Sequence, residues 1–154
     1  MHRIVRAVWM LPLMALAAGL VGCGGSAKLP PAAERLPGKW RGEMIVYEET
    51  QAKMPPDKIA VLSQMQWDFD FRPDGSMTLS GVESGRASAT EGRWQTLKQD
   101  GDFLTIKSIE QTGTQKDINI EFDRIDTFYI PVNAAPAPGA EVAELGAMRF
   151  TRLR

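Results

Sequence analysis

Residues that often carry catalysis or bind metal are scarce in this sequence. Its 154 residues include one cysteine, Cys23, and one histidine, His2. A lone cysteine cannot form an intrachain disulfide, so packing alone must hold the fold together. The 18 basic and 19 acidic residues give a formal charge of −1, and the basic residues form no stripe. The composition therefore excludes a disulfide scaffold and argues against nucleic acid as a partner.

A long apolar run is also missing. The apolar stretch at residues 7–21 is interrupted by Pro12 and Gly19, and its length of about fifteen residues falls short of the ~20 that a membrane span needs. Arg3 and Arg6 precede it, as in a secretory signal peptide. We expect a signal that is removed, and an uncleaved membrane anchor is the alternative.

The end of this stretch reads Leu-Val-Gly-Cys at residues 20–23. It resembles the lipobox of bacterial lipoproteins, in which the signal peptide is cut before the cysteine. The resemblance implies that residues 1–22 are removed and that Cys23 carries a diacylglyceryl thioether and an amide-linked acyl chain. Membrane lipid would then be a partner of the protein. Gly24 stands where an aspartate would signal inner-membrane retention, which favours the outer membrane facing the periplasm.

Cleavage before Cys23 would also remove the chemistry of most familiar enzymes. Residues 23–154 are enough for one domain with a core. Loss of Arg3 and Arg6 leaves 16 basic against 19 acidic residues, a charge of −3. With His2 gone and the thiol acylated, Ser-His-Asp and Cys-His catalysis and ordinary zinc sites lack their groups. We expect no enzyme, no cofactor and no metal site.

The mature chain divides into a tether and a domain. Residues 24–35 read GGSAKLPPAAER and are small, polar and proline-bearing. This composition predicts a flexible tether over residues 23–35, reaching roughly 35–40 Å when extended. A single folded domain is predicted over residues 36–154.

The domain shows the period-two alternation of β-strands. The clearest case is residues 65–72, where Met65, Trp67, Phe69 and Phe71 alternate with polar residues. Turn sequences at 73–75, 99–102 and 112–114 and a break at 123–126 separate the strands. Eight strands are predicted, at about residues 39–48, 65–72, 77–79, 87–97, 103–110, 118–122, 127–132 and 147–153.

Eight sequential strands with mostly short connections predict an all-β fold, an antiparallel up-and-down meander that closes into a barrel. A two-sheet sandwich is the alternative. Residues 55–64 can be read as a continued strand or as a short helix between strands 1 and 2. The helix is favoured, because the strand would be about fifteen residues long.

Residues 36–40, Leu-Pro-Gly-Lys-Trp, resemble the G-x-W opening of the lipocalin (calycin) superfamily. The resemblance implies a lipocalin-like barrel over residues 36–154, in which Trp40 plugs the closed end and an arginine of the last strand covers it. Alternation along the last strand makes Arg152 the candidate. Residues 69–75 and 92–94 are also similar to small lipocalin-like bacterial lipoproteins, a group mostly without assigned activity.

Strand parity gives the barrel a direction. If strand 1 rises from a closed end at Trp40, the tight turns gather at that end. The long segment between strands 1 and 2 and the loop at 133–146 gather at the open end. The tether and the C-terminus leave from the closed end, so a binding mouth would face away from the bilayer.

Acidic residues raise two further alternatives. Asp68, Asp70 and Asp74 superficially resemble a calcium loop, but an EF-hand needs acids where Arg72 and Leu79 stand. Alternation on a solvated strand face explains them without metal. A second set could supply an acid–base pair, although no spacing brings two of them together: Glu48, Glu49, Asp123 and Asp126.

Bulky inward residues either line a cavity or fill the barrel, since eight strands enclose little more than their own side chains. The candidates for lining a ligand site are Met44, Met65, Trp67, Phe69, Trp94 and Phe128. We expect a non-enzymatic lipoprotein that binds a small apolar or amphipathic ligand at the open end. The alternative is an envelope assembly scaffold with a filled barrel, contacting a protein partner through the loop at 133–146.

Overall fold

The computed structural model describes residues 29–83, 86–133 and 144–154. The predicted signal peptide, Cys23 and the first part of the tether lie outside these residues. So does most of the loop at 133–146.

The described chain is a closed antiparallel barrel. Each strand pairs with the next in sequence, and the last strand pairs with the first. The prediction of an eight-stranded meander barrel is confirmed, and the sandwich alternative is wrong. The strands are β1 (Gly38–Val46), β2 (Gln66–Phe71), β3 (Ser76–Glu83), β4 (Arg86–Asp100), β5 (Phe103–Glu110), β6 (Gln115–Arg124), β7 (Thr127–Asn133) and β8 (Glu144–Arg152).

Alternation puts the apolar side chains inside. Along β1, Trp40, Gly42, Met44 and Val46 are buried, whereas the residues that alternate with them are exposed. Gly42 lies opposite Phe150 on β8, and a Cβ at Gly42 would overlap the Phe150 ring. The ring therefore occupies the space that the glycine leaves. The most deeply buried large side chains are Trp40, Phe71, Phe128, Phe150, Leu36, Met77, Leu104, Ile106 and Ile120.

Tight turns close the barrel at the end where β1 begins. Gly75 in the β2–β3 turn has φ +80°, and Gly101 in the β4–β5 turn has φ +57°. Both values lie in the left-handed region, which glycine enters without a steric penalty. Asp100 pairs with Phe103, so only two residues separate β4 from β5. The β5–β6 turn at the open end also contains a left-handed glycine, Gly113 with φ +87°, so turn chemistry marks the hairpins and strand parity assigns each one to an end.

Three short helices accompany the strands: α1 (Ala32–Arg35), α2 (Glu48–Gln51) and α3 (Pro56–Ser63). The helical interpretation of residues 55–64 is confirmed. Pro56 stands at the first helical position, where its missing N–H costs no hydrogen bond. Leu62 of α3 packs against the barrel core. Both α2 and α3 belong to the connection between β1 and β2, at the open end.

The predicted tether is wrong at its C-terminal part. Residues 32–35 form α1, and Ala32, Arg35 and Leu36 are buried. The core therefore begins at Ala32 and not after Arg35. A helix this short has too few residues to show a periodic pattern. It is held by contacts with β4 and β5, which are remote in sequence.

Candidate functional site

The closed end is sealed by Trp40 and Arg152, which are paired neighbours on β1 and β8. The guanidinium carbon of Arg152 lies 4.1 Å from the centre of the Trp40 ring. The Trp40 indole N–H donates to the Leu36 carbonyl at 2.8 Å. Period-two alternation of Met148 and Phe150 is what turns Arg152 inward.

Backbone carbonyls hold the Arg152 guanidinium in place. One Nη donates to the Pro37 carbonyl at 2.8 Å and the other to the Arg35 carbonyl. Burial lowers the pKa of Arg152, and the charge of nearby Asp126 opposes that shift. The pair thus joins the start of the folded chain to its last strand, which is a structural role.

A second arginine at this end was not predicted from the sequence. The buried Arg35 side chain pairs with Asp102 in the β4–β5 turn and lies 4.5 Å from the centre of the Phe122 ring. Its Nε and Nη1 have no hydrogen-bond partner within the described residues. The cation–π contact with the Phe122 ring offsets part of the cost of burying these two nitrogens without a partner. No sequence signal marks Arg35, because the segment around it reads as a tether.

Three of the six predicted lining residues belong to the packed interior. Phe128 stacks on Phe150 at 4.8 Å and meets the Trp40 ring edge-on at 4.6 Å. Phe69 lies 5.2 Å from Phe150. The Trp94 indole N–H donates to the carbonyl of Arg72 at the closed end. These rings fill space and are remote from the mouth.

The other three lie closer to the open end. Met44 is buried, whereas Met65 and Trp67 are half-buried and pack against the core. Trp67 lies over Gly81 of β3, where a Cβ would approach the indole to 2.8 Å. Because Gly81 has no side chain, the Trp67 indole ring can pack directly against the backbone of β3. Even here the barrel is occupied by its own side chains.

A cleft of about 900 Å³ lies at the open end, between α2, the start of α3 and the start of β8. None of the six predicted residues lines it. Sequence parity indicated this end of the barrel, but the cleft depends on how α2 and α3 lie against β8. Its lining residues are Tyr47, Glu48, Glu49, Thr50, Lys53, Met54, Pro55, Lys58, Glu144 and Leu145.

Hydrogen bonds fix the walls of this open-end cleft. The Tyr47 N–H donates to the Leu145 carbonyl at 3.2 Å, which extends the β1–β8 ladder into the cleft. The Gln51 side-chain amide donates to the Val46 carbonyl at 2.8 Å. These contacts tie α2 to the barrel rim, so the cleft has a backbone frame.

An apolar hollow of about 370 Å³ adjoins the cleft. Met54, Leu145 and the aliphatic stem of Lys58 belong to both. Val61 and Leu62 of α3 complete its apolar lining. The open end therefore offers an apolar floor beside a charged rim.

The acids considered as a calcium loop are engaged in other contacts. Asp68 accepts two hydrogen bonds from Arg41, each 3.0 Å long. Asp74 accepts from the hydroxyl and the backbone N–H of Ser76, which lowers the pKa of its carboxyl. Across residues 29–83, 86–133 and 144–154, no group of three or more His, Cys, Asp or Glu could hold a metal ion.

The acids considered as a catalytic pair lie at opposite ends of the barrel. Glu48 and Glu49 belong to α2 at the open end. Asp123 and Asp126 lie at the β6–β7 turn, where the Asp126 carbonyl accepts from the Arg152 N–H. The structure therefore does not bring these carboxylates together.

Comparison with known proteins returns nothing that narrows the function. No protein-family model matches this chain, and no curated protein or solved structure shows significant similarity to it. Within the described part of the chain, no helix combines the length and apolar character that a membrane span requires.

Proposed function

We propose that this protein is a lipid-anchored envelope lipoprotein that binds a small amphipathic ligand in the open-end cleft. The observation that carries the proposal is the apolar hollow beside a charged rim, at the end of the barrel opposite α1. The barrel serves as a rigid frame, and the ligand would bind at its mouth and not deep inside.

The apolar part of the ligand would lie on Met54, Val61, Leu62 and Leu145. Val61 is 61% exposed although it stands on a helix that packs against the core. Exposed apolar side chains grouped in a concave surface are typical of ligand grooves. Burying Val61 under a ligand would remove an unfavourable contact with water.

The polar part would meet the charges of the rim. Lys53 and Lys58 supply two ammonium groups, while Glu48, Glu49 and Glu144 supply three carboxylates. Such a rim suits a head group that offers both hydrogen-bond donors and acceptors. The volumes of about 900 and 370 Å³ fall in the usual range for small-molecule sites.

Membrane anchoring rests on Cys23 and the lipobox resemblance. Cys23→Ser should move the protein from the membrane to the soluble fraction, because the acyl chains would be lost. Cell fractionation measures this, with Ser26→Ala in the same segment as the control that stays in the membrane. Persistence of the Cys23→Ser protein in membranes would contradict the lipoprotein interpretation.

Ligand binding can be tested by native mass spectrometry of gently extracted protein. We expect a small-molecule adduct on the native chain and its loss in Val61→Glu, which places a charge in the hollow. Val82→Glu is the matched control, because Val82 is exposed on β3 outside the cleft. Adduct-free native protein in every preparation would contradict ligand binding, as would equal loss in both variants.

A scaffold function is the second candidate, and the packed interior favours it. A barrel filled by Trp40, Phe128 and Phe150 can support a partner surface without any ligand. The loop at 133–146 would then contact an envelope protein. Cross-linking in intact cells separates the two, because a scaffold requires a stoichiometric protein partner and a carrier does not.

A further inference from the structure

Apolar side chains are exposed around the closed end of the barrel, where turns are ordinarily polar. Phe103 follows the β4–β5 turn, Ile125 lies in the β6–β7 turn and Leu153 follows β8. Leu29 lies just before α1. These four residues, here called the closed-end rim, are between 38% and 58% exposed.

Hydrogen bonds link the segments that carry the residues of the closed-end rim. The Phe122 N–H donates to the Asp102 carbonyl at 3.0 Å, linking the β4–β5 turn to β6. The Arg152 N–H donates to the Asp126 carbonyl at 3.0 Å, which places Leu153 beside the β6–β7 turn. Leu29 shares a cleft of about 710 Å³ with Asp102. The segments that carry the four apolar residues therefore lie at the same end of the barrel.

The chain between this rim and the proposed lipid attachment is short. Because α1 is packed into the barrel, Leu29 of the closed-end rim stands only six positions along the chain from Cys23. Six residues span at most about 20 Å. If Cys23 is acylated, as the proposed function requires, the closed end cannot leave the bilayer surface by more than that distance.

We propose that the closed-end rim docks on the lipid surface, with Phe103 and Ile125 inserted among the head groups. The inference rests on the lipoprotein assignment and adds a fixed orientation to it. A short tether holds these aromatic and aliphatic side chains close to the bilayer. There they are more stable in contact with lipid than in contact with water. The open-end cleft would then face away from the bilayer.

The charges near the rim suit zwitterionic lipid. Exposed basic and acidic residues are interspersed at this end: Lys39, Lys98, Arg124 and Arg154 against Glu34, Asp100, Asp102, Asp123 and Asp126. Neither sign dominates, so attraction to a strongly anionic surface would contribute little. Apolar insertion would provide the contact, and docking should be insensitive to salt.

Spin labels in the acylated protein test the orientation. Acylated Cys23 has no free thiol, so single labels can be placed at Ile125→Cys on the closed-end rim and at Val82→Cys, which is exposed on β3 outside the proposed ligand site. The probe membrane is a phosphatidylethanolamine/phosphatidylcholine vesicle, whose lipids are zwitterionic. We expect oxygen to reach the Ile125 label and a water-soluble nickel reagent to be excluded from it, whereas nickel should reach the Val82 label. Equal nickel access at both sites would overturn the proposal.

Transfer between vesicles gives a second measurement. Phe103→Ser combined with Ile125→Ser should speed transfer of the lipoprotein about tenfold, since two apolar contacts with lipid are lost. Ile45→Ser combined with Val82→Ser is the control and should leave transfer unchanged, because both side chains are exposed away from the closed end and outside the ligand site. Unchanged transfer in the rim variant, with circular dichroism showing a native fold, would refute docking.

Failure of anchoring and failure of docking give different results. If the intact mass shows no acyl chains at Cys23, the lipoprotein assignment is refuted, and the docking proposal that depends on it is refuted as well. An acylated protein whose Ile125 label is open to nickel would keep the assignment and refute docking alone. A label at Leu153→Cys repeats the test on the same rim if Ile125→Cys does not fold.

Discussion

Two arginines occupy the closed end, each stacked on an aromatic ring that seals the barrel. Arg152 covers Trp40, and Arg35 covers Phe122. The Arg152 guanidinium also donates to the carbonyl of Arg35. Buried guanidinium groups are costly unless stacked and hydrogen-bonded, so these contacts depend on one another.

Arg152→Met should lower the free energy of unfolding by about 2–3 kcal/mol, because two hydrogen bonds from a charged group and the stacking on Trp40 are lost. Urea denaturation measures the change. Arg149→Met on the same strand is the control. Arg149 forms an exposed pair with Glu43 and should change stability by less than about 0.5 kcal/mol. Equal losses of unfolding free energy in the two variants would mean that Arg152 contributes no more to stability than the exposed Arg149.

The inward direction of Arg152 was accessible from the sequence, whereas the role of Arg35 was not. Met148 and Phe150 set a period of two that carries Arg152 inside. Arg35 stands in a proline-bearing segment without periodicity. Its burial results from the β4–β5 turn, which brings Asp102 to it from 67 residues away.

At the scale of elements, α1 converts an apparent tether into the base of the barrel. Leu36, directly after α1, is fully buried, and its carbonyl accepts the Trp40 indole N–H. The helix contacts β4 and β5, while Trp40 belongs to β1. The segment therefore bridges both sides of the closed end.

Leu36→Ala should destabilise the protein by about 2–5 kcal/mol, since it opens a cavity beside Trp40 that neighbouring strands cannot close. Thermal or urea unfolding measures the loss. Val61→Ala on α3 is a matched truncation of an exposed side chain and should change stability by less than about 0.5 kcal/mol. If Leu36→Ala unfolds like the native protein, α1 is not part of the cooperative core.

At the scale of the whole molecule, backbone pairing runs around the entire barrel. Each of the eight strands has two neighbours, and β1 pairs with both β2 and β8. Such a closed network has no strand whose loss leaves the others intact. Aromatic side chains also connect strands through the interior: Phe150 of β8 packs against Phe69 of β2 and stacks on Phe128 of β7.

We therefore expect one cooperative unfolding transition. Tryptophan fluorescence reports Trp40 and Trp94 towards the closed end together with Trp67 towards the open end, and far-ultraviolet circular dichroism reports the strands. Their urea midpoints should coincide. Separate midpoints would mean that side-chain packing around the tryptophans and strand pairing are lost in different steps, which would contradict a single cooperative transition.

Local patterns in the sequence were sufficient to predict the strands, their meander order and the end at which each connection lies. Alternation and turn residues act between near neighbours, so they can be read without a structure. The path of α1, the filled interior and the open-end cleft could not be read in this way. Each depends on which side chains from remote segments meet and how much space they leave, and that is settled only when the barrel closes.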